Sequence, residues 1–502
     1  MNRLIIVSLF VVFPALLSAA DSTQVSAFKA RFRLSQAFSV VRPSTVTYQL
    51  WEGFSLVRKA NSGDAEALHE LGVRHLAGQG FPADTARAFE LIRKAADAGH
   101  LLAPFNLGVF RHNGWGGVWD PFDAFRYFRT AARKGVREGA FAYALYYTDN
   151  LVVAKDLEQA AHWMRIAANQ GYGPAKEVLP EIDRIRALNR DTTGALARAS
   201  ANVTATFEPL TLNFDNPLEQ EAENEFDLRE LLASLGDAWR KRAAEVKPGS
   251  DSALFRALLR HAEWGVPEEF TIIGRCYESG IGTGIDTVKA VTAYLRAVRL
   301  ESHRAPALLL RLLNDGNRVQ RMQQKALKGD VEALFVISGL ALTEVMPLVQ
   351  RQDIVAALQK GATAGFLPSQ VELGSVYFAG QAVARDTAKG LSWWMRAADG
   401  GSGEANVRLA SARLIAGAGS VPYDSAQRML REGVTEGSIV AQLMLARHLE
   451  ASAAGTKDYG PSVQLYRAAM QRGSRSAYAA LQRIHDGLRP SDAEFVIPET
   501  EP

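Results

Sequence analysis

Glycine recurs in this chain at a fixed interval of 36 residues, in two separate sets. The first set is Gly63, Gly99, Gly135 and Gly171, and the second is Gly329, Gly365, Gly401, Gly437 and Gly473. Each glycine follows an alanine-rich helical stretch, and a repeat of this length encodes a pair of helices that cannot bury its apolar face alone. Stacked pairs can bury it. The period therefore predicts an all-α solenoid of helical hairpins in two arrays.

Other residues align at the same spacing. An aspartate precedes the second helix of several units, at Asp84, Asp120, Asp156 and Asp386, and glycine occurs within the first helix at Gly72, Gly108, Gly274 and Gly374. Aspartate accepts hydrogen bonds from the first N–H groups of a helix, so it predicts where helix two begins. Glycine within a helix costs about 1 kcal/mol relative to alanine, which indicates close helix packing as compensation. Large residues in helix two are predicted to fill the space between neighbouring pairs; they are Leu91, Tyr127, Trp163 and Trp393.

These residues resemble the Sel-one-like (SLR) repeat family, a branch of the tetratricopeptide-like helical repeats. The family pattern is visible in order from Ser369 to Gly401, with Tyr377, Gly380, Asp386, Trp393, Ala397 and Ala398. Ala382 departs from the pattern, because it stands where the family has a second loop glycine. The resemblance implies a right-handed α/α superhelix that serves protein–protein interaction.

The arrays and the segments around them define six predicted regions. These are a signal peptide (1–20), an N-terminal segment with a capping helix (21–62), a first repeat array (63–183), an irregular insert with helices and a loop (184–261), a second repeat array (262–487) and a disordered tail (488–502). The end repeat of an array lacks a neighbour on one face. A capping helix is therefore predicted where aromatic and apolar residues occur at helical spacing, at Tyr48, Trp51, Phe54 and Leu56.

The N-terminus has the pattern of a secretory signal peptide. Arg3 precedes the apolar run Leu4–Leu17, and small residues follow up to Ala20, after which cleavage is predicted. The run is short for a bilayer span and Pro14 interrupts it, so no membrane span is expected after cleavage. The mature protein is predicted to be periplasmic or released, because Asp21 stands where a lipid anchor would need cysteine.

Composition and motifs argue against several classes of function. Lys plus Arg number 57 against 54 for Asp plus Glu, and a net charge of +3 is too small over 502 residues to favour nucleic acid. The segment from His69 to His75 has Val73 where a zinc protease needs its second histidine. Cys276 is the single cysteine, and its place within a repeat helix favours a buried apolar role. We therefore expect no catalytic residue, metal or cofactor.

One loop of the second repeat is more aromatic than the repeat requires. It reads HNGWGGVWDPF and contains Trp115 and Trp119. Aromatic side chains are enriched at binding hot spots, so both tryptophans are candidates for contact with a protein or a glycan. The alternative is that they fold back over the adjacent repeat.

The resemblance to the repeat family implies binding rather than chemistry. We predict a non-catalytic scaffold of the bacterial cell envelope that binds envelope proteins on a concave surface, formed mainly by the first helix of each pair. One alternative is a component of an exopolysaccharide secretion or envelope-assembly complex, which exported members of the family serve. Another is a β-lactam hydrolase or binding protein, although that subgroup carries cysteine pairs in its repeats and this chain has one cysteine.

Overall fold

The computed structural model describes both repeat regions. Its described residues are 53–201, 251–302, 304–314, 316–343, 351–453, 455, 458–472 and 474–497. Within these ranges the chain forms α-helices and one 3-10 turn and contains no β-strand, which confirms the predicted all-α repeat fold. The predicted signal peptide, and Tyr48 and Trp51 of the capping helix, lie outside the described residues.

The chain divides into two compact units. The N-terminal unit comprises the described residues of 20–210, 449–471 and 477–502. Its helices are α1 (Gly53–Asn61), α2 (Ala65–Ala77), α3 (Thr85–Asp97), α4 (Ala103–Asn113), α5 (Pro121–Arg133), α6 (Arg137–Tyr146), α7 (Leu157–Asn169), α8 (Gly173–Ala201), α21 (Gly460–Gln471) and, from residue 477, α22 (Arg475–Leu488).

The central unit comprises the described residues of 211–448 and 472–476. Its helices are α9 (Asp251–Ala262), α10 (Pro267–Ser279), α11 (Thr287–Arg299), α12 (Ala305–Leu313), α13 (Gly316–Leu327), α14 (Val331–Leu342), α15 (Arg351–Thr363), α16 (Leu367–Ala379), α17 (Thr387–Asp399), α18 (Gly403–Ala416), α19 (Tyr423–Thr435) and, before residue 449, α20 (Ile439–Ala453). In each unit, helices that are consecutive along the chain pack against one another as hairpins.

The helix ends follow the repeat pattern. The carboxylate of Asp84 accepts a hydrogen bond from the backbone N–H of Arg87 at 2.8 Å, and Asp120, Asp156, Asp286 and Asp386 cap their helices in the same way. The described glycines of the 36-residue period have φ values from 81° to 95°, a left-handed conformation that other residues rarely adopt. The period therefore marks the turn between one hairpin and the next.

One departure from the family pattern leaves the backbone unchanged. Ala382 has a φ of 63°, close to the 75° of Gly80 and the 67° of Gly282 at the same place in their loops. A left-handed conformation costs a residue with a Cβ about 1 kcal/mol or more. The rest of this loop therefore determines the backbone conformation even without the glycine.

Glycine within the first helix permits the close contact that holds each hairpin together. A Cβ on Gly108 would lie 2.6 Å from the Phe128 ring of α5, and a Cβ on Gly274 would lie 2.3 Å from the Tyr294 ring of α11. Gly72 meets Ile92, and Gly374 meets Trp394, in the same way. The close packing expected from the sequence is confirmed, and the residues that meet Gly72, Gly108 and Gly374 directly follow the large positions Leu91, Tyr127 and Trp393.

The structure differs from the predicted region boundaries. Helix α8 continues across the predicted end of the first array at 183, and α21 and most of α22 belong to the N-terminal unit although the sequence assigns them to the second array. The predicted disordered tail 488–502 is folded up to residue 497, with a 3-10 turn at Ala493–Phe495 and a Phe495 side chain that is 0% exposed. The prediction of disorder was wrong up to residue 497, because the Phe495 side chain packs into a pocket whose lining residues are far from it in the sequence.

Replacing Gly108 by alanine should destabilise the N-terminal unit. The added methyl group would overlap the Phe128 ring, and overpacking of this kind costs about 1–3 kcal/mol, more than the helix propensity that alanine gains. Gly173→Ala is the matched control, because a Cβ on Gly173 at the start of α8 meets nothing within 4 Å. Urea unfolding should show a lower midpoint for G108A only. Equal midpoints for both variants would contradict this account of the hairpin.

Candidate functional site

An open groove of about 900 Å³ lies on the N-terminal unit. Helices α5, α6, α7 and α8, and the loop that joins α6 to α7, contribute its lining. Its aromatic side chains are Phe125, Tyr143 and Tyr147, and its cationic side chains are Arg129, Arg133, Lys155 and Arg186. Aromatic residues and arginine are enriched in protein interfaces relative to the rest of the surface.

Two tyrosines form the aromatic wall of the groove. Tyr143 and Tyr147 are one helical turn apart, and their hydroxyl groups are hydrogen-bonded at 2.9 Å. The Phe125 ring lies 5.1 Å from the Tyr143 ring and 5.9 Å from the Tyr147 ring, so the three rings form one cluster. Burial and the hydrogen bond from Tyr143 raise the pKa of Tyr147 above its ordinary value of 10. Phe125 and Tyr143 are buried, so the ring of this cluster that is partly exposed in the groove is that of Tyr147.

The cations of the groove differ in how they are paired. Arg186 contacts Asp183 at 2.6 Å and also Glu158, and Arg129 contacts Glu494. Arg133 is exposed at the end of α5 and makes no ion pair within the described parts of the chain. A ligand carboxylate could therefore reach Arg133 without displacing an existing partner.

The segment Asp492–Phe495 is seated on α5 beside the groove. Arg126 contacts both Asp492 and Glu494, and Arg129 contacts Glu494. Burial alone would raise the pKa of Glu494, but hydrogen bonds from Arg129 and Arg126 hold it below its ordinary value. This carboxyl group is thus ionised at neutral pH and held by two guanidinium groups.

Phe495 is the apolar anchor of this segment. Its ring packs edge to face against Phe122 at 4.9 Å and against Phe125 at 5.8 Å, and the Arg126 guanidinium lies over it at 5.1 Å. Arg489, just before the segment, donates hydrogen bonds to the carbonyl groups of Leu151, Val152 and Phe495 at 2.8–3.0 Å. The segment is therefore held by its backbone as well as by its side chains.

A buried polar cluster fastens α21 to the second repeat. Arg467 donates to the carbonyl oxygen and to Nε2 of His112, both at 3.0 Å, so Nε2 is an acceptor and Nδ1 carries the proton. That Nδ1–H then donates to the Tyr146 hydroxyl at 2.9 Å. Burial lowers the pKa of Arg467 to about 10, which still leaves it charged at neutral pH.

Two histidines of this cluster are held neutral. Burial, with the nearby charge of Arg467, lowers the pKa of His112 well below its ordinary value of 6.5. Burial also lowers the pKa of His485 to about 3, and the charges of Arg467 and Arg489 act in the same direction. His485 Nδ1 donates to the Leu481 carbonyl at 2.6 Å. Protonation of either ring would place a second positive charge beside a buried arginine.

The structure separates the two tryptophans that the sequence singles out. Trp119 is 2% exposed, with the His485 ring edge-on at 5.1 Å and the Arg467 guanidinium over its face at 5.8 Å. Trp115 is half-buried and packs edge to face against Phe110 at 6.1 Å. Burial leaves Trp119 little surface for a ligand, and α21 and α22 supply the contacts described here, whereas the alternative from the sequence had both tryptophans fold back over the adjacent repeat. Binding by Trp115 stays a prediction.

Two other groups considered for chemistry are buried. Cys276 is 0% exposed, and burial raises the pKa of its thiol to about 12, so it is protonated at neutral pH and a poor nucleophile. His69 stacks on His100 with ring centroids 4.0 Å apart. Within the described ranges, no group of three or more His, Cys, Asp or Glu side chains is arranged to hold a metal ion.

The groove and the seated segment were missed from the sequence, although a signal for each exists. Phe122, Arg126, Arg129 and Arg133 follow a spacing of four, three and four residues along α5, which places them on one helix face. The tail SDAEF is a short acidic segment that ends in phenylalanine. What the sequence does not show is that these two features meet, because they lie more than 360 positions apart.

The neutral histidines should make the N-terminal unit acid-sensitive. The folded pKa of His485 lies below the unfolded value, so the unfolded state binds more protons as the pH falls from about 6.5 towards 3, and folding stability is lost in that window. One such histidine contributes at most about 1.4 kcal/mol per pH unit. His485→Asn keeps an N–H donor for Leu481 and removes the titration, so the urea midpoint should fall less between pH 7.5 and 4.5 than in the unsubstituted protein. An unchanged slope would contradict the assignment, and His162→Asn at an exposed position is the control.

Comparison with known proteins identifies the repeat. The family model for the Sel1 repeat matches residues 65–100, 102–136, 137–172, 272–300 and 367–402. The first match spans α2 and α3, the second α4 and α5, and the third α6 and α7, so each of these repeats is one hairpin. No curated protein matches the chain. No helix of the described ranges is both long enough and apolar enough to cross a bilayer.

Two solved structures are similar to this chain. One is a protective antigen present in uropathogenic Escherichia coli strains that displays an SLR fold; it is 20% identical, the match covers 94% of this chain and 90% of that one, and the TM-score is 0.30. Another is a Sel1 repeat protein from Oxalobacter formigenes, which is 33% identical, with 26% of this chain and 96% of that one covered and a TM-score of 0.25. Through its five matched repeats, the chain belongs to the Sel1 repeat family.

Proposed function

We propose that this protein is a non-catalytic scaffold that binds partner proteins through the groove of its N-terminal unit. Sel1 repeats are typically protein-interaction modules. The observation that carries the proposal for this chain is the groove itself, an open space of about 900 Å³ lined by the half-buried Tyr147, by four cations and by the carboxylates of Asp156, Glu158 and Glu494. A groove of this composition suits a peptide segment with apolar and acidic side chains.

The energetics of the groove favour protein recognition. Phe125 and Tyr143 are buried and hold the half-buried Tyr147 ring in place, and a tyrosine with few rotatable bonds loses little conformational entropy when a ligand covers it. Arg133 adds a directional donor at the end of α5, and arginine is among the residues most enriched at binding hot spots. Arg129 and Arg133 on α5 and Arg186 on α8 are held by helices, and Tyr147 directly follows α6.

We further propose that the partners are proteins of the bacterial envelope. The support is the signal-peptide pattern of residues 1–20, which would deliver the mature chain to the periplasm or beyond. The near-balanced net charge of +3 argues against nucleic acid as the partner. The groove is lined by the second helices α5 and α7 as well as by the first helix α6, rather than mainly by first helices as the sequence suggests.

Photo-crosslinking tests the groove directly. A photoreactive residue at position 133 should give discrete adducts with exported proteins, whereas the same residue at the exposed position of Arg87 on α3 should not. In a parallel assay, Arg133→Glu should weaken co-purification of the crosslinked partner about tenfold, because a ligand carboxylate would then meet a like charge. Its urea midpoint should stay unchanged, since Arg133 is exposed. Adducts that form equally at both positions would exclude the groove as the binding surface.

The proposal that the protein is not an enzyme can be tested against the alternative that it hydrolyses β-lactams. Purified protein should hydrolyse a chromogenic β-lactam no faster than buffer, because its one thiol is buried and protonated. Cys276→Ser serves as the matched variant and should give the same rate. Turnover that a single substitution abolishes would show the protein to be an enzyme.

A further inference from the structure

We propose that helix α5 carries a recognition site for a short acidic–aromatic segment, and that Asp492–Phe495 occupies this site as an internal competitor of partner proteins that bear such a segment. The recognised pattern has two acidic residues separated by one other residue, and phenylalanine directly follows the second acidic residue. This inference rests on the proposed scaffold function and specifies the chemistry of the partner.

The first support is the order of contacts along α5. Asp492 meets Arg126, and Glu494 meets both Arg126 and Arg129. The two carboxylates therefore lie along the Arg126–Arg129 face of α5, while Phe495 lies against Phe122 and Phe125. Arg133, four residues further along the same face, is the next cation that a longer acidic ligand would reach.

The second support is that the contacts are concentrated in a few residues. Phe495 is fully buried, whereas Ser491, Ala493 and Val496 around it are exposed. A single deeply buried aromatic residue with charged neighbours is the arrangement found at the centre of protein-binding hot spots.

The third support is that Arg126, one of the two arginines, would keep a carboxylate partner without the segment. The Arg126 guanidinium also lies 3.6 Å from Asp123 on its own helix. Arg126, Asp492 and Glu494 are all partly exposed, and exposed ion pairs contribute about 1 kcal/mol or less each. Release of the segment therefore costs the burial of Phe495 and the Arg129–Glu494 ion pair, and a partner that offers an equivalent aromatic residue and carboxylate restores both.

Competition follows from the covalent link between the segment and its site. A tethered ligand acts at an effective concentration in the millimolar range. A free segment of the same sequence must therefore bind more weakly to the unsubstituted protein than to a variant whose own segment has lost its anchor. The strength of partner binding would then depend on how firmly Asp492–Phe495 is held.

The test is fluorescence anisotropy with a labelled synthetic peptide that has the sequence of residues 490–497. The variant Phe495→Ala of the full protein should bind this peptide with a Kd at least tenfold lower than the unsubstituted protein does. The double variant Asp492→Asn/Glu494→Gln, which changes only partly exposed side chains, should give an intermediate Kd. A scrambled peptide, and the peptide with Phe495→Ala, should not bind to either variant.

A site-directed control separates recognition from general loosening. Adding Arg126→Glu and Arg129→Glu to the F495A variant should abolish peptide binding while the circular dichroism spectrum stays helical. If neither opened variant binds the peptide better than the scrambled one, the segment is a structural latch and the inference is wrong. Photo-crosslinking at position 133 would still report on the scaffold function, so a failure of this inference is distinguishable from a failure of the proposed function.

Discussion

The structure depends on how closely the two helices of each repeat approach one another. That approach is set by a glycine in the first helix and by a large buried residue in the second, as in Gly108 with Phe128 and Gly274 with Tyr294. With any larger residue at the glycine, the ring would have no space, and the hairpin would open at its centre. Because each hairpin buries only part of its apolar surface, the same contact also presents a well-defined face to the next hairpin.

The fold could be predicted from the sequence because its determinants are local. The turn glycines, the capping aspartates and the helix-packing glycines all act within one hairpin, and the repeat shows them several times over. The loop at Ala382 keeps its left-handed backbone without glycine, so even a departure from the pattern did not mislead the prediction. Such sequence signals predict the structure of their own hairpin and its contact with the neighbouring repeat on either side.

The candidate site could not be predicted in the same way, because its parts come from distant places in the chain. The polar composition of residues 488–502 indicated disorder, and nothing near Phe495 shows that Phe122 and Phe125 offer it a pocket. Likewise, Trp119 belongs to a glycine-rich loop that looks exposed until α22 covers it with His485. The sequence singled out Trp119 but not the residues that contact it. Those contacts become visible only once α21 and α22 are packed against the second repeat.

The N-terminal unit is built from chain segments that precede and follow the central unit in sequence. This has a consequence for the order in which the parts of the chain fold. Arg467 reaches His112 across 355 positions, and His485, which covers Trp119, follows the last residue of the central unit, so the ribosome makes all of the central unit before α22 is complete. Closing so long a loop is slow, whereas the hairpins of the central unit are nearly continuous in sequence and can form during synthesis. The aromatic surface of the second repeat is thus the last to leave water, and a nascent chain carries it uncovered for most of its translation.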